Sequence, residues 1–134
     1  MNDEERLEAL EKVLSALDER DETIIVEGQR DEAALRVLGV GAPVVQVQTA
    51  RGVTRLAERL ARAGIRRVVV LVDWDRTGGR VARLLADALP ANGIAADLAC
   101  RREVARLAKK GTRAVEELPA FMAALEATRR PRHG

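Results

Sequence analysis

Residues 67 to 80 constrain the fold of this chain more than any other stretch. Arg67-Val68-Val69-Val70-Leu71-Val72 is an apolar run of the kind required by a parallel strand that is buried on both faces. It delivers two carboxylates one residue apart, Asp73 and Asp75, to the turn Arg76-Thr77-Gly78-Gly79-Arg80. After the turn, Val81, Leu84, Leu85 and Ala88 recur at i, i+3, i+4 and i+7, the stripe of a helix packed on a sheet. The strand is expected to end at Asp73, which places both acids at its carboxyl end, where open α/β sheets hold their ligands.

The rest of the chain alternates in the same way. Leu7, Leu10, Leu14 and Leu17 mark an amphipathic first helix with an acidic outer face, expected to pack across the domain or against a partner. Thr23-Ile24-Ile25-Val26 is a short buried strand ending at Glu27-Gly28, and Asp31 to Leu38 a helix closed by Gly39. Val44-Val45-Gln46-Val47 is a second strand. Val53, Leu56, Ala57, Leu60 and Ala61 form a helical stripe stopped at Gly64, and Ile94 to Cys100 is a fourth strand. A basic helix follows, roughly Glu103 to Lys109, then a last helix opened by Pro119 with Phe121, Met122 and Leu125 inward, and a basic tail. Strands and helices joined by short connections predict an α/β domain: a mainly parallel four-stranded sheet flanked by helices, with right-handed crossovers. The chain divides into an N-terminal amphipathic helix (1–22), an α/β core (23–100) and a C-terminal basic helical extension and tail (101–134).

Composition narrows the chemistry. His133 is the only histidine and Cys100 the only cysteine, so a disulfide within the chain, a Cys/His zinc site and histidine catalysis are not expected. The amino terminus begins with acids rather than a signal peptide, and no stretch is long and apolar enough to cross a bilayer; a cytoplasmic protein without membrane contact is expected. Residues 1 to 22 hold nine acids and three bases, a net −6, which leaves +8 on the remainder for the total of +2. Arg101, Arg102, Arg106, Lys109, Lys110 and Arg113 face one acid, Glu103, in their span, the footprint of either a phosphate-binding surface or a solvated helix face. Trp74 and Phe121 are the only aromatic residues, so bound nucleic acid would be held by its phosphates rather than by stacking.

Parallel strands put their carboxyl ends on one edge of the sheet. If the first and third strands are neighbours, Glu27 joins Asp73 and Asp75 in a cluster of negative charge with few bases nearby, which favours a divalent cation. Magnesium, with manganese as a substitute, suits such a set because it keeps waters and is held by one or two carboxylates plus substrate phosphate. An aspartate after a strand is also a common turn former or helix cap, and Asp75 before Thr77-Gly78 fits that role as well. Glu27, before a glycine, gains little as a cap.

Ile25-Val26-Glu27-Gly28 with Asp31, and Asp73-Trp74-Asp75-Arg76-Thr77-Gly78, resemble the two signature motifs of the Toprim domain. That domain is shared by DnaG-type primases, topoisomerases, RecR-type recombination proteins, OLD-family nucleases and the endonuclease that matures 5S ribosomal RNA. The likeness spans about residues 23–100, and the Glu-Gly-x-x-Asp form of the first motif looks most like small stand-alone members grouped with the RNA maturase. It implies a three-layer, Rossmann-like Toprim fold. It also implies Glu27 as general acid or base or as an outer ligand, Asp73 and Asp75 as magnesium ligands, and Gly28 and Gly78 as places of close backbone approach to substrate and metal. Arg30, Arg76 and Arg80, more weakly Arg51 in the Gln48–Gly52 loop, and the basic residues Arg101, Arg102, Lys109 and Lys110 are candidate phosphate contacts, with Asp31 in support. Position 77 lacks the third acid of type II topoisomerases, and with no tyrosine the chain has no strand-passage nucleophile. The expectation is a magnesium-dependent nuclease acting on structured RNA. The alternative is a non-catalytic nucleic-acid-binding adaptor that works with a protein partner or as a homodimer; a phosphatase or transferase acting on a mononucleotide is a weaker third.

Overall fold

A computed structural model of the 134-residue chain describes residues 1–108 and 112–128. Lys109, Lys110 and the basic tail from 129 onward lie outside the described residues. The elements run α1 (Asp3–Arg20), β1 (Thr23–Val26), α2 (Gln29–Val37), β2 (Val44–Gln46), α3 (Val47–Ala50), α4 (Val53–Arg62), β3 (Arg67–Val70), α5 (Arg76–Ala91), β4 (Ala95–Asp97), α6 (Ala99–Ala108), a 3₁₀ turn (Val115–Glu117) and α7 (Leu118–Thr128). The sheet is parallel throughout, in the order β2-β1-β3-β4. This is the expected three-layer α/β architecture.

Alternation along the central strands explains the continuous apolar runs. Ile24, Val26, Val69 and Leu71 point into one core, shared with α1, α2, α6 and α7. Ile25, Val68, Val70 and Val72 point into the other, shared with α4 and α5. A strand covered on both sides favours apolar side chains, so after Thr23 and Arg67 at their starts β1 and β3 are apolar and the carboxylates come only beyond the strands. α1 starts at a capping box, in which the Asn2 side chain accepts from the Glu5 amide at 2.8 Å and the Glu5 carboxylate accepts from the Asn2 amide at 3.0 Å. Its four leucines, Leu7, Leu10, Leu14 and Leu17, are all buried.

Four local expectations need correction. The segment after the second strand is not an open loop: Val47 starts the one-turn helix α3, which ends at Arg51 in the left-handed region (φ 61). Cys100 does not end a strand but lies in the first turn of α6, whose Ala99 and Cys100 amides donate to Asp97 Oδ1. On α5 the buried residues are Gly78, Ala82, Leu85 and Leu89, and Leu84 is 56% exposed. Val81, Leu85 and Ala88 of the expected stripe do pack on this core, and Leu84 alone turns outward. β3 closes at Val70, three residues before Asp73, although Leu71 still donates to the Ile25 carbonyl at 2.8 Å and Leu71 and Val72 are fully buried.

Candidate functional site

β1 and β3 are hydrogen-bonded neighbours with Ile25 opposite Val70, so the two motifs leave the sheet side by side. The Asp73 amide donates to Glu27 Oε2 at 3.2 Å, which brings the first motif onto the second. Burial pushes the Asp73 carboxyl up to about 7, helped by a hydrogen bond shared with Glu27 and by the charges of Glu27 and Asp75, while the Val115 amide on Asp73 Oδ1 at 3.0 Å opposes the shift. Asp31 is pushed up to about 6, first by burial and then by the charge of Asp73. Both of its oxygens are occupied: Oδ2 accepts from the Gly28 amide at 3.1 Å and Oδ1 from the Glu116 amide at 3.2 Å. Asp31 therefore braces the site.

Asp75 does serve as the helix cap that its position allows. Its Oδ1 accepts from the Gly78 amide at 2.7 Å at the start of α5. A β-carbon on residue 78 would overlap the Asp73 carbonyl, so the first turn of α5 lies directly on the backbone of the acidic motif. A β-carbon on residue 28 would meet only the end of the Gln48 side chain. Gly78 thus serves an approach of protein to protein, in addition to any approach to a ligand.

Arg101 is turned inward rather than toward an incoming phosphate. From α6 its Nε donates to the Val72 carbonyl at 3.0 Å and to the Asp73 carbonyl at 3.2 Å, and its Nη2 donates to the Asp73 carbonyl at 2.8 Å. Burial lowers its pKa, and the charges of Glu27, Asp73 and Asp75 counter that. One cation thus offsets part of the carboxylate repulsion while fixing the backbone that carries it.

Sequence reasoning missed a second clamp, residues 112 to 117. The indole Nε1 of Trp74 donates to the Thr112 carbonyl at 2.6 Å and the Trp74 amide to the Arg113 carbonyl at 2.8 Å. With the Val115 and Glu116 amides on Asp73 and Asp31, this strap is tied to the acidic motif at four points. Trp74 is half-buried against the core. The only signal in the sequence was that a tryptophan between two aspartates needs an acceptor for its N–H.

The remaining candidates lie outside this knot. Arg30 is 89% exposed at its side chain, with Nη1 4.0 Å from Glu116. Arg51, Arg76, Arg80 and Arg102 are exposed. Among the described residues no three Asp, Glu, His or Cys side chains are grouped so as to hold a metal ion by themselves. What is present is a pair of crowded carboxylates, Glu27 and Asp73, with Asp75 beside them. Such a set suits a hard cation that completes its shell with water and phosphate oxygens, as magnesium does, and not a cation that needs an all-protein cage.

Fold and site together define a three-layer parallel α/β protein with a braced acidic cluster at the carboxyl edge of its two central strands. The chain belongs to the UPF0292 protein family. It is 41% identical over 113 residues to the UPF0292 protein of Thermococcus gammatolerans, a match covering 84% of this chain and 79% of that one. To the UPF0292 protein of Methanosarcina barkeri it is 34% identical over 123 residues, covering 90% and 85%. Among solved structures, a protein from Aquifex aeolicus superposes with a TM-score of 0.67 over 79% of this chain and 94% of that one, at 20% identity, a likeness of fold. No family model matches the chain.

Proposed function

We infer that this chain is a Toprim-type phosphoryl-transfer protein, a magnesium-dependent nuclease that hydrolyses phosphodiester bonds in structured RNA. The observation that carries the reading is the meeting of Glu27 with Asp73 beside Asp75, with Asp73 raised to about 7. Carboxylates crowded at the ligand-binding edge of an α/β sheet cost stability unless they are used. Asp73 and Asp75 would hold the cation, which when bound neutralises charge on the phosphate. Glu27 accepts from the Asp73 amide and shares a hydrogen bond with the Asp73 carboxyl, and would take or give the proton. Arg101 and the strap keep Asp73 in place.

Cleavage of end-labelled structured RNA, single-stranded DNA and duplex DNA, in magnesium or manganese against chelator, tests this. Metal-dependent cutting of RNA by the wild type is expected. It should be lost in an Asp73→Asn, Asp75→Asn variant, whose side chains retain the oxygens that accept from Val115 and Gly78. A folded variant that cuts as well as wild type would sink the assignment.

A second reading has one observation in its favour. Asp73 and Asp31 accept backbone N–H bonds from the strap, so part of the acidic cluster already serves to hold the protein together. A nucleic-acid-binding adaptor that acts through a protein partner would need no more. In that case the isolated chain binds nucleic acid and cuts nothing, with or without metal.

A further inference from the structure

The helices on the α4/α5 side of the sheet carry an arrangement that the acidic site does not use. On α4, Arg55, Arg59 and Arg62 recur at i, i+4 and i+7, and on α5, Arg76, Arg80 and Arg83 repeat the same spacing; all six are exposed. The two helices pack together in one layer and each begins at the carboxyl edge, where Glu27, Asp73 and Asp75 lie. Arg51, at the turn into α4, extends the first row and, with Arg55, Arg59, Arg62 and the single acid Glu58, lines a groove of about 510 Å³. Each row spans about 10 Å at 1.5 Å per residue, and packed helices lie about 8–10 Å apart.

The rows combine exposure, regular spacing and a local excess of positive charge. Outside this layer Arg20 pairs with Glu22 and Asp97, Arg36 with Glu32 and Arg106 with Glu103, while Arg6 and Arg101 donate to backbone carbonyls. Among the described residues none of the six row arginines forms an ion pair. Residues 51 to 91 hold nine arginines against four acids, two of which are Asp73 and Asp75. Two parallel rows of unpaired cations leave a strong positive field that a polyanion would neutralise.

We propose that the paired arginine rows of α4 and α5 form a docking surface for the sugar-phosphate backbone of a double-stranded nucleic acid. A duplex fits better than a single strand for two reasons. At the usual axis spacing of packed helices, about 8–10 Å, two such rows match the groove widths of B-form DNA, about 6–12 Å, so each row can follow one of the phosphate lines bordering a groove. The two aromatic residues, Trp74 and Phe121, pack against the opposite core, so this face has no platform for unstacked bases. Contacts made only to phosphates are independent of base sequence. This inference extends the nuclease reading by naming the form of its substrate, and rests on that reading only for what happens after binding.

The test is fluorescence anisotropy of the full chain with labelled RNA duplex, DNA duplex and the corresponding single strands of about 20 nucleotides, in chelator, over a range of salt. Arg55→Gln, Arg59→Gln, Arg62→Gln is one triple variant and Arg76→Gln, Arg80→Gln, Arg83→Gln the other. Glutamine preserves helix propensity, and circular dichroism checks the fold. Wild type should bind duplex more tightly than single strand. Each triple variant should lose at least about tenfold in affinity near 0.1 M salt, and its slope of log affinity against log salt should be shallower by about 3. A Lys12→Gln control, on the exposed face of α1, should stay within about twofold of wild type.

An unchanged slope in both triple variants, or tighter binding to single strands, overturns the proposal. So does sedimentation showing a self-associated wild type that the variants dissociate, with no duplex bound; the rows would then face the acidic α1 of a second copy. The two readings fail separately. Duplex binding lost in the variants while wild type cuts nothing in magnesium leaves the docking surface standing and removes the nuclease. Cutting with an unchanged KM in the variants does the reverse.

Discussion

Two glycines at the carboxyl edge have different physical reasons to be there, and substitution separates them. At Gly78 a β-carbon would collide with the Asp73 carbonyl, which is fixed by Arg101 and cannot move aside. Gly78→Ala should therefore cost about 2–3 kcal/mol as an overpacked contact, even though alanine is the better helix former. At Gly28 the obstacle is the tip of Gln48, an exposed side chain, and Gly28→Ala should cost less than about 1 kcal/mol. Urea unfolding of the two variants beside wild type measures both. The acids make a second residue-scale prediction. Asp73 and Asp31, at about 7 and about 6, lie above the ordinary carboxylate value of 3.8, so the folded chain holds protons that the unfolded chain has released. Their contribution is favourable below about pH 4 and is lost as pH rises through about 6 to 7. In chelator the Tm should fall between pH 5 and pH 8, Asp73→Asn should flatten that fall, and magnesium should restore stability at pH 8 more than at pH 5. A wild-type Tm indifferent to magnesium at pH 8 would count against a cation at these carboxylates. Glu27, Asp73 and Asp75 were legible as a group because their strands end together. Asp31 as a brace was not, since its partners are backbone amides that every sequence carries.

At the scale of elements, the acidic motif is held by pieces distant in sequence, α6 through Arg101 and the strap through Thr112, Arg113 and Val115. Arg101→Lys keeps the charge but loses the planar fork that serves two carbonyls, and should cost about 1–3 kcal/mol by denaturant unfolding. Should the chain prove to be a nuclease, the same variant should lower kcat more than it raises KM, because Arg101 positions Asp73 and does not touch substrate. Alanine at 101 should be worse than lysine on both measures, and equal values for the two would show that the fork is immaterial. Periodicity located nearly every helix and strand, because burial against a sheet imposes it. It misplaced the stripe of α5 at Leu84, since a bulky residue was assigned to the sheet where Gly78 and Ala82 let the helix come close. The basic cluster after Cys100 looked uniform from its charges, yet Arg101 is a clamp, Arg106 an ion-pair partner of Glu103, and Arg102 exposed. Charge composition carries no information about which member of a run is turned inward.

For the molecule as a whole, the question raised by the sequence was whether residues 1–22 are an accessory to an α/β core or part of it. Leu7, Leu10, Leu14 and Leu17 sit in the same apolar cluster as Ile24 and Val26 of β1, Leu35 of α2 and Leu107 of α6. α1 is therefore one wall of the core on that side of the sheet. Arg6 adds a long-range tie from Nη1 to the Leu107 carbonyl at 2.9 Å, and Arg20 at the other end of α1 is bonded to Asp97. Burying a leucine contributes about 1.5–3 kcal/mol, so four of them are comparable with the whole stability of a small domain. Leu10→Ala should cost about 2–5 kcal/mol. Removal of residues 1–22 should leave a chain that is insoluble or binds a hydrophobic dye in the manner of a molten globule, while a cooperative unfolding transition in the truncated protein would return α1 to the status of an accessory. The acidic outer face of α1 and the arginine rows of α4 and α5 lie on opposite sides of one sheet, so the helix that completes the core also keeps negative charge away from the face proposed to meet phosphate.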